Sequence, residues 1–206
     1  MIPLILSLTV HEWAHAWSAW MLGDDTAAYQ GRMTLNPLAH MDPVGTFVLP
    51  LMGVPFGWAK PVPVNPGGFN RKVSMRMGIL ITAAAGPISN IIVALICMVL
   101  LALLVGFHLE TSGTFQALRH LLEMGILLNI ILAAFNMLPI PPLDGSRVLD
   151  ALVPDKLRPM WDRFCQVGPI ALAAVILLPL FMGFSLLQWP LEMTYSLLEW
   201  LTHHAS

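Results

Sequence analysis

A chain of 206 residues that is 57% hydrophobic and only 11% charged departs from soluble averages in one direction, that of a polytopic membrane protein. A net charge of -2 with 10 Lys and Arg gives no footprint for nucleic acid. Cys97 and Cys165 are neither a disulfide framework nor a CxxC metal knuckle.

Met1 to Leu22 is an apolar run just long enough to cross a bilayer core, with Pro3 in its first turn. Its start lacks a basic flank and a small-residue cleavage site, so the span is expected to stay in the mature chain. Within it lies His11-Glu12-Trp13-Ala14-His15, an HExxH sequence. The chain's own His and Glu usage would produce that pattern by chance in about one such sequence in two hundred. On a helix the two imidazoles lie one turn apart on one face, so both reach a single zinc ion with Glu12 beside it. The bland alternative is an amphipathic surface helix. Leu4, Ile5, Leu6, Val10, Trp13, Trp17 and Trp20 argue against it, because they surround the helix with apolar groups. A catalytic zinc takes three protein ligands and keeps a fourth position open, so one more ligand must come from elsewhere. Gly23-Asp24-Asp25-Thr26 ends the helix with a flexible residue and two charges.

Residues 27–70 are too apolar for an ordinary loop and too interrupted by Pro and Gly for a spanning helix. Thr46 to Leu51 and Trp58 to Val64 read as short extended pieces, the second kept to a sheet edge by its prolines. The expectation is a re-entrant β-hairpin or loop that dips into the membrane against the zinc helix; the alternative is a membrane-surface connection.

Residues 75–107 hold the second span, where Pro87 removes a helical donor and predicts a kink. Asn90 follows in mid-membrane, serving either an interhelical hydrogen bond or a contact to substrate or the reacting oxygen. A third span is expected over 118–138 and a ligand loop over 139–145, where Pro139, Pro141 and Pro142 cannot continue a helix. The loop presents Asp144 at the end of an apolar segment, before a glycine that permits a sharp reversal. Asp144 is therefore the best available third ligand. A polar stretch leads to a fourth span over 167–187, and residues 189–201 read as an interfacial tail.

Four spans place residues 23–74 and 139–166 on one side, with Arg32, Lys60, Arg71, Lys72, Arg147, Lys156, Arg158 and Arg163, against Arg119 on the other. By the positive-inside rule the basic segments are cytoplasmic, and Met1 and the tail are outside. His15 then lies roughly 10 Å from the cytoplasmic end of its helix. Asp144 follows a helix that ends on that same side, and Asn90, counted along its own helix, comes to a similar level.

The HExxH sequence, Gly86-Pro87-Ile88-Ser89-Asn90, the runs from Gly31 to Gly45 and from Gly57 to Asn65, and Asn136 through Gly145 with its PxPxLDG core resemble the site-2 protease family of intramembrane zinc metalloproteases. The motifs cover residues 11–145 in the family's order. The resemblance implies an α-helical, multi-pass protein of a prokaryotic-type cytoplasmic membrane. It would form a single metalloprotease domain over 1–206, with about four transmembrane helices and a membrane-dipping hairpin. It implies one zinc ion bound by His11, His15 and Asp144, with Glu12 as general base and Asn90 beside the reaction. It also implies cleavage in or near the transmembrane helix of a membrane-protein substrate, held as an added strand near Asn36, Trp58, Lys60 and Asn136. No stretch of these residues resembles a PDZ or CBS domain, and the chain begins inside the HExxH helix where many members have a helix before it, so the expectation is either a minimal form or a truncated start. Its oligomeric state is not legible. A zinc transporter would need further ligands on a neighbouring span, and the second to fourth predicted spans offer no His, Asp or Glu cluster beyond Glu123 and Asp144. A silent scaffold would have no use for an intact His11, Glu12, His15 and Asp144.

Overall fold

The computed structural model describes residues 2–48, 51, 59–107, 113–182 and 188–204, and among these there is no strand. The first helix, α1, spans Ile2–Met21 and ends where the glycine predicts. Gly23 takes a φ of 102°, its N–H donates to the Trp20 carbonyl at 2.9 Å, and the Asp24 N–H reaches back to Ala19 at 3.0 Å. Two such backward bonds across a left-handed glycine close a helix without orphaned carbonyls. The helix is inverted relative to a soluble one. Ser7, Thr9, His11, His15 and Ser18 are buried, while Ile2, Leu6, Trp17, Trp20 and Met21 are exposed. Polar groups inward and apolar groups outward is the arrangement that lipid demands.

Asp24, read above as a helix-ending charge, is 2% exposed. Its carboxylate accepts from the Thr26 hydroxyl and N–H, and from the Asn65 N–H at 2.6 Å. It thereby ties the far end of the next segment to α1. That segment contains the short helix α2, Thr26–Tyr29, with 3-10 turns at Pro37–Ala39 and Pro66–Gly68 and a wide helical turn at Pro43–Val48. The expected extended piece over Thr46 to Leu51 is therefore helical as far as Val48. Pro43 suits the first turn of a helix, and Asp42 Oδ1 accepts from the Gly45 N–H at 2.8 Å, so local capping outweighs the β-branched residues. Of the expected β-hairpin, the described residues form one antiparallel bridge, Met41 with Ala59. Its tip, Trp58 included, lies outside the described residues.

Helix α3, Met75–Gly106, is capped by Ser74, whose hydroxyl accepts from the Met77 N–H at 3.2 Å, and it continues through Pro87. Helix α4, Gly113–Asn136, starts five residues before the expected third span. The two pack on each other around Leu101, Leu104, Val105, Leu122 and Ile126, and α1 lies against both. The ligand loop leads into α5, Asp144–Leu152, which packs on α3. Helix α6, Arg158–Met182, starts nine residues earlier than the expected fourth span. The charges that suggested a loop are instead satisfied locally: Asp150 accepts from Arg158 and from Trp161 Nε1. Residues 183–187 lie outside the described residues, and helix α7, Gln188–His204, packs on α4.

Among the described residues, three helical segments are long and apolar enough to cross a membrane: Met75–Gly106, Gly113–Asn136 and Asp155–Leu177. Helix α1 has the length, but His11, Glu12 and His15 lower its hydropathy.

Candidate metal centre

One helical turn sets His11 and His15 on the same buried face of α1, with ring centroids 4.7 Å apart and planes at 84°. Asp144 reaches them from a point 133 residues further along the chain, the first turn of α5. His11 Nε2 lies 3.1 Å from His15 Nε2 and 3.1 Å from Asp144 Oδ2, and His15 Nε2 lies 3.3 Å from the same oxygen. Zinc bonds of about 2.0–2.2 Å in a tetrahedron separate their ligand atoms by about 3.3–3.6 Å, so this triangle is nearly a zinc-binding face already.

Hydrogen bonding gives a second test of that fit. His15 Nδ1 donates to the Thr82 carbonyl at 2.7 Å, which commits the neutral ring's proton and leaves a lone pair on Nε2. That lone pair faces a second imidazole nitrogen and a carboxylate oxygen at hydrogen-bond distance. A cation between them satisfies all three. The Thr82 carbonyl is also the kind of outer partner that fixes the tautomer of a metal-binding histidine. His11 Nδ1 is buried without a partner among the described residues.

Two glycines make room for the cluster. A Cβ on Gly86 would lie 2.4 Å from His15 Nε2 and 2.6 Å from His11 Nε2, so α3 can pass the imidazoles only at a residue without a side chain. Gly145 was expected to allow a reversal after Asp144. Instead it sits inside the first turn of α5, where a Cβ would lie 2.2 Å from the Met137 carbonyl oxygen. The glycine serves close backbone approach, not a turn.

Glu12 is half-buried beside the triangle and outside it, and its Oε2 accepts from the Val62 N–H at 2.8 Å. Asn90 is fully buried with neither amide atom partnered among the described residues. Gly86 lies against the imidazoles, and Asn90 is one turn, roughly 6 Å, further along α3. Asn136 is half-buried and donates to the Leu132 carbonyl of its own helix at 3.0 Å. Asn36 is exposed and caps a 3-10 turn, its Oδ1 accepting from the Leu38 N–H at 3.1 Å. Lys60 is exposed, its N–H donating to the His40 carbonyl at 2.8 Å. The structure therefore brings His11, His15, Asp144 and Glu12 together. Sequence reasoning missed Thr82, Gly86, Val62 and Arg32; for Gly86 the signal was present, a small residue ahead of a proline in mid-span.

Comparison with known proteins points the same way. The model of Peptidase family M50 matches residues 108–180. "Putative zinc metalloprotease YwhC" of Bacillus subtilis (strain 168) is 41% identical over 191 residues, covering 92% of this chain and 84% of the relative. "Putative zinc metalloprotease Rip2" of Mycobacterium tuberculosis (strain ATCC 25618 / H37Rv) is 31% identical over 196 residues, covering 90% of this chain and 67% of the relative. No solved structure matches the chain.

Proposed function

The chain belongs to peptidase family M50, the site-2 protease family of zinc metalloproteases, and from that premise we propose that it is an intramembrane endopeptidase cutting in or near a substrate's transmembrane helix. The observation that carries this reading is the convergence of His11 Nε2, His15 Nε2 and Asp144 Oδ2 within 3.1–3.3 Å inside a bundle whose outer face is apolar. These three residues would hold the zinc, and an ion bound there would supply Lewis acidity toward the scissile carbonyl and acidify a water.

The chain's own residues do the rest. Glu12, one carboxylate oxygen held by Val62, keeps the other to take the water's proton and pass it to the leaving nitrogen. Asn90 offers an unpartnered amide to the oxyanion that develops on the carbonyl. A helical peptide bond is shielded by its own hydrogen bonds, so substrate must unwind first. Asn36, Trp58 and Lys60 on one side and Asn136 on the other are assigned to the unwound strand. Helix α1 is the fourth span, supported by its inverted polarity and by exposed Trp17 and Trp20 near its end, where aromatic residues mark a membrane interface. The basic segments 23–74 and 139–166 are cytoplasmic, with the metal nearer that side.

Metal analysis beside cleavage of a panel of single-span substrates tests the reading. Glu12→Gln should keep about one zinc per chain and lose at least 10²-fold in turnover. Asp144→Asn should lose the zinc itself. Full turnover in Glu12→Gln would exclude the mechanism.

A further inference from the structure

Arg32 lies in a stretch rich in Pro and Gly, yet it is 7% exposed. Among the described residues its guanidinium meets no carboxylate. Nη2 donates instead to two successive backbone carbonyls, those of Lys60 and Pro61, and Nε has no partner among the described residues. Burying a cation without a counter-ion is costly, so a neutral donor would serve better if packing were the purpose. A charge-assisted fork on two carbonyls does something a neutral donor does less well: it fixes the direction of a peptide segment.

The next residue shows what that direction controls. Val62 is flanked by Pro61 and Pro63, which carry no N–H, so its amide is the single donor between Lys60 and Val64. That one donor is aimed at Glu12 Oε2, 2.8 Å away. On either side the segment is tied down, Lys60 N–H to the His40 carbonyl at 2.8 Å and Asn65 N–H to buried Asp24 at 2.6 Å.

We infer that Arg32 is a positioning residue for Glu12, acting through the Lys60 and Pro61 carbonyls to hold the Val62 N–H on the carboxylate. The inference rests on the reading of Glu12 as general base. A base displaced by a fraction of an ångström transfers protons poorly while metal and substrate binding persist, so the effect falls on turnover.

The test uses the full chain in detergent micelles with a cleavable single-span reporter. Arg32→Gln should keep its zinc and its KM within about twofold, while kcat falls about 10- to 100-fold. Arg32→Lys should recover part of that loss. Val62→Pro, which deletes the donor and leaves extended backbone, should match Arg32→Gln, and adding Arg32→Gln to it should change kcat by no more than about twofold. Independently of activity, amide exchange at Val62 should quicken in both Arg32→Gln and Glu12→Ala. Undiminished kcat in Arg32→Gln, multiplicative losses in the double variant, or unchanged Val62 exchange would each overturn the inference. A wild-type chain that cleaves nothing would count against the protease reading instead, and Val62 exchange would still decide the role of Arg32.

Discussion

Helix α3 packs in two different ways along its length. Toward its start, Thr82 and Gly86 meet the imidazoles of α1, and what matters is clearance measured in tenths of an ångström and the direction of single hydrogen bonds. Toward its end, Leu101, Leu104 and Val105 meet Leu122 and Ile126 of α4, and these five side chains are all aliphatic. The first half is built for geometry and the second for cohesion. A mutation in one should therefore report on function and in the other on stability, even though both lie on one continuous helix.

The same substitution placed against each end gives the largest contrast, at Gly86 of α3 and at Gly125 of α4, which faces Cys97 of α3. Gly86→Ala drives a methyl to 2.4 Å from His15 Nε2, and the neighbours that would have to yield are the ligands themselves. Zinc affinity should fall by more than the 10- to 100-fold typical of losing a supporting partner, with turnover falling alongside it. Gly125→Ala puts its methyl 3.1 Å from Cys97 Sγ, the end of a single side chain, and should leave zinc content and cleavage near wild type. Metal analysis of the two purified variants checks both halves. Equal zinc loss in the two would mean that the site senses general packing and not clearance.

That contrast also explains what was legible in the sequence. HExxH is legible because its chemistry and its one-turn spacing are both local, and Asp144 because the prolines before it halt a helix at a definable place. The use of Gly86 is not legible, since it depends on a second helix passing at that height. Counting residues along the second span brings Asn90 to a level similar to that of the ligands, which assumes that both helices start in one plane. With 32 residues α3 is about 48 Å long against a core of about 30 Å, so its start does not mark the membrane edge. Arg32 was counted among the loop cations, but the structure buries it. Side-chain capping by Asp42 shapes the turn Pro43–Val48 where residue preference suggests an extended piece from Thr46.

A middle-sized effect should come from the cohesive half. Ile126 has no exposed surface, and Ile126→Ala leaves a cavity between α3 and α4. Such truncations cost about 2–5 kcal/mol in soluble cores, with the lower part of that range expected where lipid replaces water as the surrounding medium. Unfolding in mixed micelles should show this loss, while zinc per folded chain stays unchanged. A variant that folds normally but loses zinc would join the two halves into one cooperative unit and dissolve the distinction.

The smallest effect tests the boundary between them. Asn129 of α4 is 1% exposed and donates to the Ser7 hydroxyl of α1 at 2.8 Å, one turn from His11. The same amide also donates to the Gly125 carbonyl at 2.8 Å, and the Ser7 hydroxyl donates to the Pro3 carbonyl, also at 2.8 Å. Each group thus keeps a partner within its own helix when the other is removed. Interhelical bonds of this kind average about 0.6 kcal/mol by double-mutant cycle in a membrane bundle. Ser7→Ala, Asn129→Ala and the pair should therefore show a coupling near that size in unfolding, with zinc content intact. Because Ser7 sits on the same face as His11, a coupling that appears in zinc affinity as well would extend the geometric region across α1 to α4. Coupling confined to unfolding would place its edge one helical turn from the metal.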